Sequence, residues 1–173
     1  MKIKVLVLFM SIFLTTIFEV KAQESTAVLL EKAQLKAKKE GKSIFIKFEA
    51  SWCGWCHKMT KDMKAESTKK FFENNYVTVP VVVNESQKNK NLENPGSTEL
   101  LKKYKGDKAG LPFWLILNSD LEVITDSFDS NGQNLGGPGS LKEVNEFIKK
   151  LKKASTNFTK KDEVSIIEQF VMK

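Results

Sequence analysis

The chain's two cysteines, Cys53 and Cys56, and its single histidine, His57, lie side by side in the stretch Ser51-Trp52-Cys53-Gly54-Trp55-Cys56-His57-Lys58-Met59. Two cysteines with two residues between them can close a disulfide and open it again. The run before them, Ser43 to Ala50, alternates like a strand, and the run after them, from Gly54 to about Lys70, reads as a helix. Cys53 then stands at a helix N-terminus, where unpaired N–H groups and the positive end of the dipole stabilise a thiolate. Cys56 lies one turn further on, close enough to attack a mixed disulfide formed on Cys53. The chemistry these residues suggest is thiol–disulfide exchange, with Cys53 as nucleophile and Cys56 as resolving thiol.

Two other chemistries use the same letters. Cys53-x-x-Cys56-His57 is also the pattern of c-type haem attachment, with His57 as one axial ligand and Met59, Met63 or Met172 as the other. The strand before the motif and the long amphipathic helix after it do not suit a haem pocket. A zinc site would need a fourth ligand beyond two cysteines and one histidine within one turn. We therefore expect no metal and no organic cofactor. A third reading is a non-catalytic binding module, with a static Cys53–Cys56 disulfide and with Trp52 and Trp55 as contact residues.

The 173 residues suffice for one domain with a real core. Net charge is +7, all of the basic residues are lysine, and the lysines are spread along helix-like faces. With no arginine to read bases or phosphates, nucleic-acid binding is not expected. Residues 1–22 read as a signal peptide: Lys2 and Lys4 at the start, an apolar run from Val5 to Phe18, and Val20-Lys21-Ala22 as the cleavage site. The mature chain would begin at Gln23, exported to the periplasm or beyond and soluble, with no membrane contact after cleavage. Disulfides persist there. One cysteine pair is too few for a disulfide scaffold, which favours a redox role.

The remaining elements must position the pair. Ser25 or Thr26 caps a helix to about Glu40, with Val28, Leu29, Ala33, Leu35 and Ala37 as its apolar face and Gly41 as its stop. On the following strand Ile44, Ile46 and Phe48 point one way, and Phe45, Lys47 and Glu49 the other. Tyr76 to Val83 is a β-branched strand that Pro80 assigns to a sheet edge. Asn84 to Ser97 reads as a loop and Thr98 to Tyr104 as a short helix. Phe113 to Leu117 is a buried strand with an antiparallel partner in Leu121 to Asp126. Ser127 to Ser140 is a glycine-rich loop. Leu141 to Lys153 is an amphipathic helix through Leu141, Val144, Phe147, Ile148 and Leu151. Thr159 caps a last helix carrying Val164, Ile166, Ile167 and Phe170.

This order, with Trp52-Cys53-Gly54-Trp55-Cys56 after a strand and Gly110-Leu111-Pro112 before a later one, resembles the thioredoxin superfamily over roughly residues 42–153. The resemblance implies an α/β thioredoxin-like fold: a central mixed sheet of about four strands flanked by helices, plus an extra C-terminal helix. With the signal peptide (1–22) read above, the chain divides further into a thioredoxin-like domain (23–154) and a helical extension (155–173). The resemblance also implies a cis bond before Pro112, with Leu111 presenting its backbone to a substrate strand. Trp52, Gly54 and Trp55 would complete the substrate surface.

Two positions depart from that family. Lys47 stands where thioredoxin buries an aspartate that serves the second cysteine, and we expect a Lys47–Glu49 pair beneath the cysteines to take over the proton relay. Trp55 stands where thioredoxin has proline. His57, as a cation, could support a thiolate. The loops at 84–97 and 127–140 are expected to border the cysteines. The expected activity is that of a protein disulfide oxidoreductase of the cell envelope, favouring reduction, with protein thiols and disulfides as substrates and an envelope redox partner to recycle it.

Overall fold

The computed structural model describes residues 23–172. The signal-peptide expectation falls on residues 1–22 and lies outside them. In chain order the elements are α1 (Thr26–Glu40), β1 (Ser43–Glu49), α2 (Gly54–Met63), α3 (Lys69–Asn75), β2 (Tyr76–Val82), a 3-10 turn (Gln87–Leu92), α4 (Ser97–Lys103), β3 (Phe113–Leu117), β4 (Val123–Asp126), α5 (Leu141–Ala154) and α6 (Lys160–Phe170). The strands form one mixed sheet in the order β2-β1-β3-β4. β2 runs parallel to β1, while β3 is antiparallel to both β1 and β4. The strand that leads to the cysteines is therefore central. Pro80, which lacks an N–H, sits on the edge strand β2, where a missing donor costs no internal ladder bond.

The period of two along β1 separates two cores. Ile44, Ile46 and Phe48 face Ala33 and Ala37 of α1 and Leu100 and Leu101 of α4. Phe45 faces the other way, toward Met59, Phe72, Trp114 and Phe147. The Phe45 and Trp114 rings stack with centroids 5.5 Å apart. Tyr76 is buried on this side, its hydroxyl donating to the Leu151 carbonyl, and burial pushes its pKa up.

Several expectations need correction. The helix after the cysteines does not run to Lys70. It ends at Met63, and a second helix starts at Lys69. The Thr68 hydroxyl donates to the Asp62 and Ala65 carbonyls, closing a turn in place of continued helix. On α1, Ala33 and Ala37 are buried, but Val28 and Leu35 face solvent; small residues let this helix lie close to the sheet. Leu141 is also exposed, as the first residue of α5, and Val164 is exposed because it stands off the face of α6 that buries Ile166 and Phe170. The stretch expected as loop at 84–97 contains the 3-10 turn, and β4 is two residues shorter at its start than expected.

The C-terminal helix is part of the core. Ile166 and Phe170 are fully buried, and the Phe170 ring lies 5.5 Å from Phe147 and 6.1 Å from Phe72. Burial of such a side chain contributes roughly 1.5–3 kcal/mol. Thr159 and Asp162 form a capping box that starts this helix.

Candidate redox site

β1 ends at Glu49, and a tight turn carries the chain through Ala50 and Ser51 to Cys53, which caps α2. Cys53 and Cys56 form a disulfide. The Cys56 N–H points at the Cys53 sulfur at 3.1 Å, so one of the free donors in the helix's first turn is spent on that atom. Both cysteines are buried, Cys53 at 4% exposed and Cys56 at 1%. Ala50 and Leu111 pack around the pair. The Leu111–Pro112 peptide bond is cis, as the resemblance implied. Trp52 and Trp55 are 60% and 47% exposed on the surface around the sulfurs. Nothing lies within 4 Å of where a side chain on Gly54 would begin, leaving open space beside Cys53.

Behind the pair, Lys47 is buried and its ammonium reaches three groups. It pairs with Glu49 at 2.5 Å, donates to the Cys56 carbonyl at 3.2 Å, and donates to the Thr60 hydroxyl. Thr60 in turn donates to the same carbonyl at 3.0 Å. Glu49 is partly exposed. Lys47 is thus held on the first turn of the redox helix, with its charge matched by a carboxylate that reaches water. His57 is exposed, and its Nε2 lies 2.9 Å from the Ser51 carbonyl, bracing the turn before Cys53.

Sequence reasoning missed the residues that clamp this turn from the side. The buried Glu85 carboxylate accepts both the Ser51 N–H and the Ser51 hydroxyl, the latter at 2.7 Å. Asn89 adds a hydrogen bond to the same hydroxyl, and the Trp52 indole N–H donates to the Asn84 carbonyl at 2.9 Å. Glu93 fixes the loop from within by accepting the Glu85 N–H at 2.7 Å. The loop expected to border the cysteines does so through Asn84, Glu85 and Asn89.

The second loop borders them differently. Asn134 donates to the carbonyls of Ala109, Gly110 and Pro112, tying the loop to the cis-proline segment. A side chain on Gly137 would begin 3.0 Å from the Trp55 carbonyl. One on Gly139 would begin 3.0 Å from Met172 and 3.2 Å from the Trp55 ring. The Met172 N–H donates to the Gly139 carbonyl at 2.9 Å. The C-terminal arm therefore reaches the rim of the redox site, which no sequence pattern indicated. Among the described residues no cluster of three or more His, Cys, Asp or Glu could hold a metal ion.

A family model described as thioredoxin-like matches residues 26–119. No curated protein matches the chain in sequence. Among solved structures, a disulphide isomerase from Xylella fastidiosa is similar at 22% identity, covering 63% of this chain and 75% of the other, with a TM-score of 0.48. The reduced C-terminal domain of DsbD from Neisseria meningitidis is similar at 19% identity over 75% of this chain and 96% of the other, also at 0.48. A thioredoxin from Thermus thermophilus is similar at 20% identity over 71% and 81%, at 0.47. The chain belongs to the thioredoxin-like family, as an oxidoreductase with its Cys53–Cys56 disulfide in the family's CxxC position.

Proposed function

We propose that this chain reduces disulfides of exported proteins, with Cys53 as the attacking and Cys56 as the resolving thiol. The observation that carries the assignment is the N–H of Cys56 aimed at the Cys53 sulfur, at the N-terminus of α2. When the pair is reduced, that donor and the helix dipole stabilise negative charge on Cys53. The thiolate attacks one sulfur of a substrate disulfide and expels the other as a thiolate. Cys56 then loses its proton and attacks the Cys53 sulfur, releasing the second substrate thiol. The substrate gains two electrons, and the chain is left as the Cys53–Cys56 disulfide. A dithiol partner outside the cytosol must return those electrons.

Substrate contact falls to the surface around the sulfurs. Trp52 and Trp55 offer apolar area, Gly54 leaves room beside Cys53, and Leu111 and Pro112 form the facing edge. The Lys47–Glu49 pair receives the proton of Cys56: Glu49 reaches water and Lys47 touches the turn that carries Cys56. Export rests on the pattern of residues 1–22, with the mature chain, from Gln23, serving as one folding unit that includes the C-terminal helix. Among the described residues no helix is long and apolar enough to cross a membrane.

The test is a trap. A Cys56→Ser chain, reduced and mixed with a protein disulfide, should accumulate a mixed disulfide through Cys53, whereas Cys53→Ser should accumulate none. Trapping through Cys56 instead would overturn the assignment of roles. Run across pH with both cysteines present, single-turnover exchange in Lys47→Ala should have a shifted pH profile; an unchanged profile would end the relay.

A further inference from the structure

A second concave site opens beside the sheet, apart from the exposed surface around the sulfurs. It lies between the edge strand β2 and the bend that separates α2 from α3, and encloses about 530 Å³. Cavities of this order hold small-molecule ligands. Two local features leave it open. The helix after the cysteines breaks between Met63 and Lys69, and β2 has no neighbour on its outer side.

Its walls and its mouth differ in chemistry. The walls are apolar and buried, made by Met63, Phe72, Tyr76 and Val77. The mouth carries Lys36, Lys42, Lys64 and Lys69, and the floor is Lys47 with Glu49. Glu73 is the other acidic group of the lining, 3.6 Å from Lys69. Lys36 and Lys42 share Glu40, which lies outside the lining. Lys64 makes no ion pair among the described residues. Five ammonium groups thus line the cleft against two carboxylates. Glu40, Glu49 and Glu73 partner four of these five, so a neutral ligand would leave Lys64 without a counter-charge, and a hydrophilic anion would leave the apolar walls wet.

We infer that this cleft binds a small amphipathic anion, a medium-chain monocarboxylate in class. The carboxylate is held by Lys64 and Lys69 at the mouth, and the chain lies along Met63, Phe72 and Tyr76. Binding uses no sulfur chemistry, and the cleft shares only its Lys47–Glu49 floor with the proposed proton relay.

The probes are decanoate and its neutral counterpart decanol, titrated by calorimetry into the chain from Gln23, which holds every described element. Decanoate should bind once per chain, and decanol at least tenfold more weakly. The doubly substituted Lys64→Glu/Lys69→Glu chain, altered only at exposed positions, should lose decanoate affinity at least tenfold. Thr78→Trp, which fills the cleft from the exposed face of β2, should abolish binding without reversing any charge. Absence of saturable decanoate binding by about 1 mM overturns the proposal. So does equal affinity for decanol, or decanoate affinity untouched by both variants.

Discussion

The two flanks of the redox motif are built on opposite principles. Upstream, Ser51 and Trp52 are held by polar groups: Glu85, Asn89 and the Asn84 carbonyl. Downstream, Trp55 is met by the backbone of Gly137 and Gly139, with Met172 on the other side of Gly139, and its side chain makes no hydrogen bond among the described residues. A hydrogen bond fixes direction, so the upstream flank sets how the turn delivers Cys53 to the helix terminus. Close packing fixes only distance, so the downstream flank leaves an apolar surface that a substrate can share. The glycines there are required by proximity, since a side chain at Gly137 would press on the Trp55 carbonyl.

The difference predicts unequal responses to substitution. The largest should come from Phe170→Ala, since the downstream rim hangs on α6 and Phe170 is fully buried against Phe147 and Phe72. Removing it should cost about 3–5 kcal/mol, read by urea unfolding. A loss under about 1 kcal/mol would mean that α6 is an appendage and the rim is supported elsewhere. Glu85→Gln comes next. A carboxamide has one acceptor oxygen, so either the Ser51 N–H or the Ser51 hydroxyl would lose its acceptor. The expected cost is about 1–3 kcal/mol in the same assay, and a neutral result would remove Glu85 as the upstream clamp.

The smallest effect belongs to the start of α5, which anchors the downstream loop. Glu143 accepts the N–H groups of Ser140 and Gly139 at 2.8 and 3.1 Å, and those bonds, that of Ser140 first, hold its carboxyl below the usual range. A folded pKa below the unfolded one adds stability that is complete above the unfolded value and is lost as pH falls through the folded value. The wild type should therefore melt slightly above Glu143→Gln at neutral pH, and the gap should close in acid. A gap that widens in acid would contradict the cap.

The legible part of the chain was the local part. A strand of alternating faces, two cysteines at its end, a proline before a later strand and the two helices capped by Ser25 and Thr159 are all written in neighbouring residues, and each is where the sequence places it. The opposite facing of Phe45 and Lys47 against Ile44 and Ile46 follows from the pleat alone. What escaped was settled by distance along the chain. Glu85 is one more polar residue in a polar loop until the chain's path brings it to Ser51, 34 residues earlier. Met172 gains meaning only because α6 packs back across α5. The break after Met63 was hidden because Met63, Phe71 and Phe72 all remain in one core when the helix bends.

The central claim is that Cys53 and Cys56 exchange two electrons as a unit in the reducing direction. Equilibrating the chain from Gln23 in thiol/disulfide buffers, with the emission of Trp52 and Trp55 as reporter, measures this directly. We expect a single two-electron transition with a midpoint near about −270 mV, in the range of reductants. A midpoint above about −180 mV would contradict the reducing direction, and a pair that does not titrate would leave a static disulfide in a binding module.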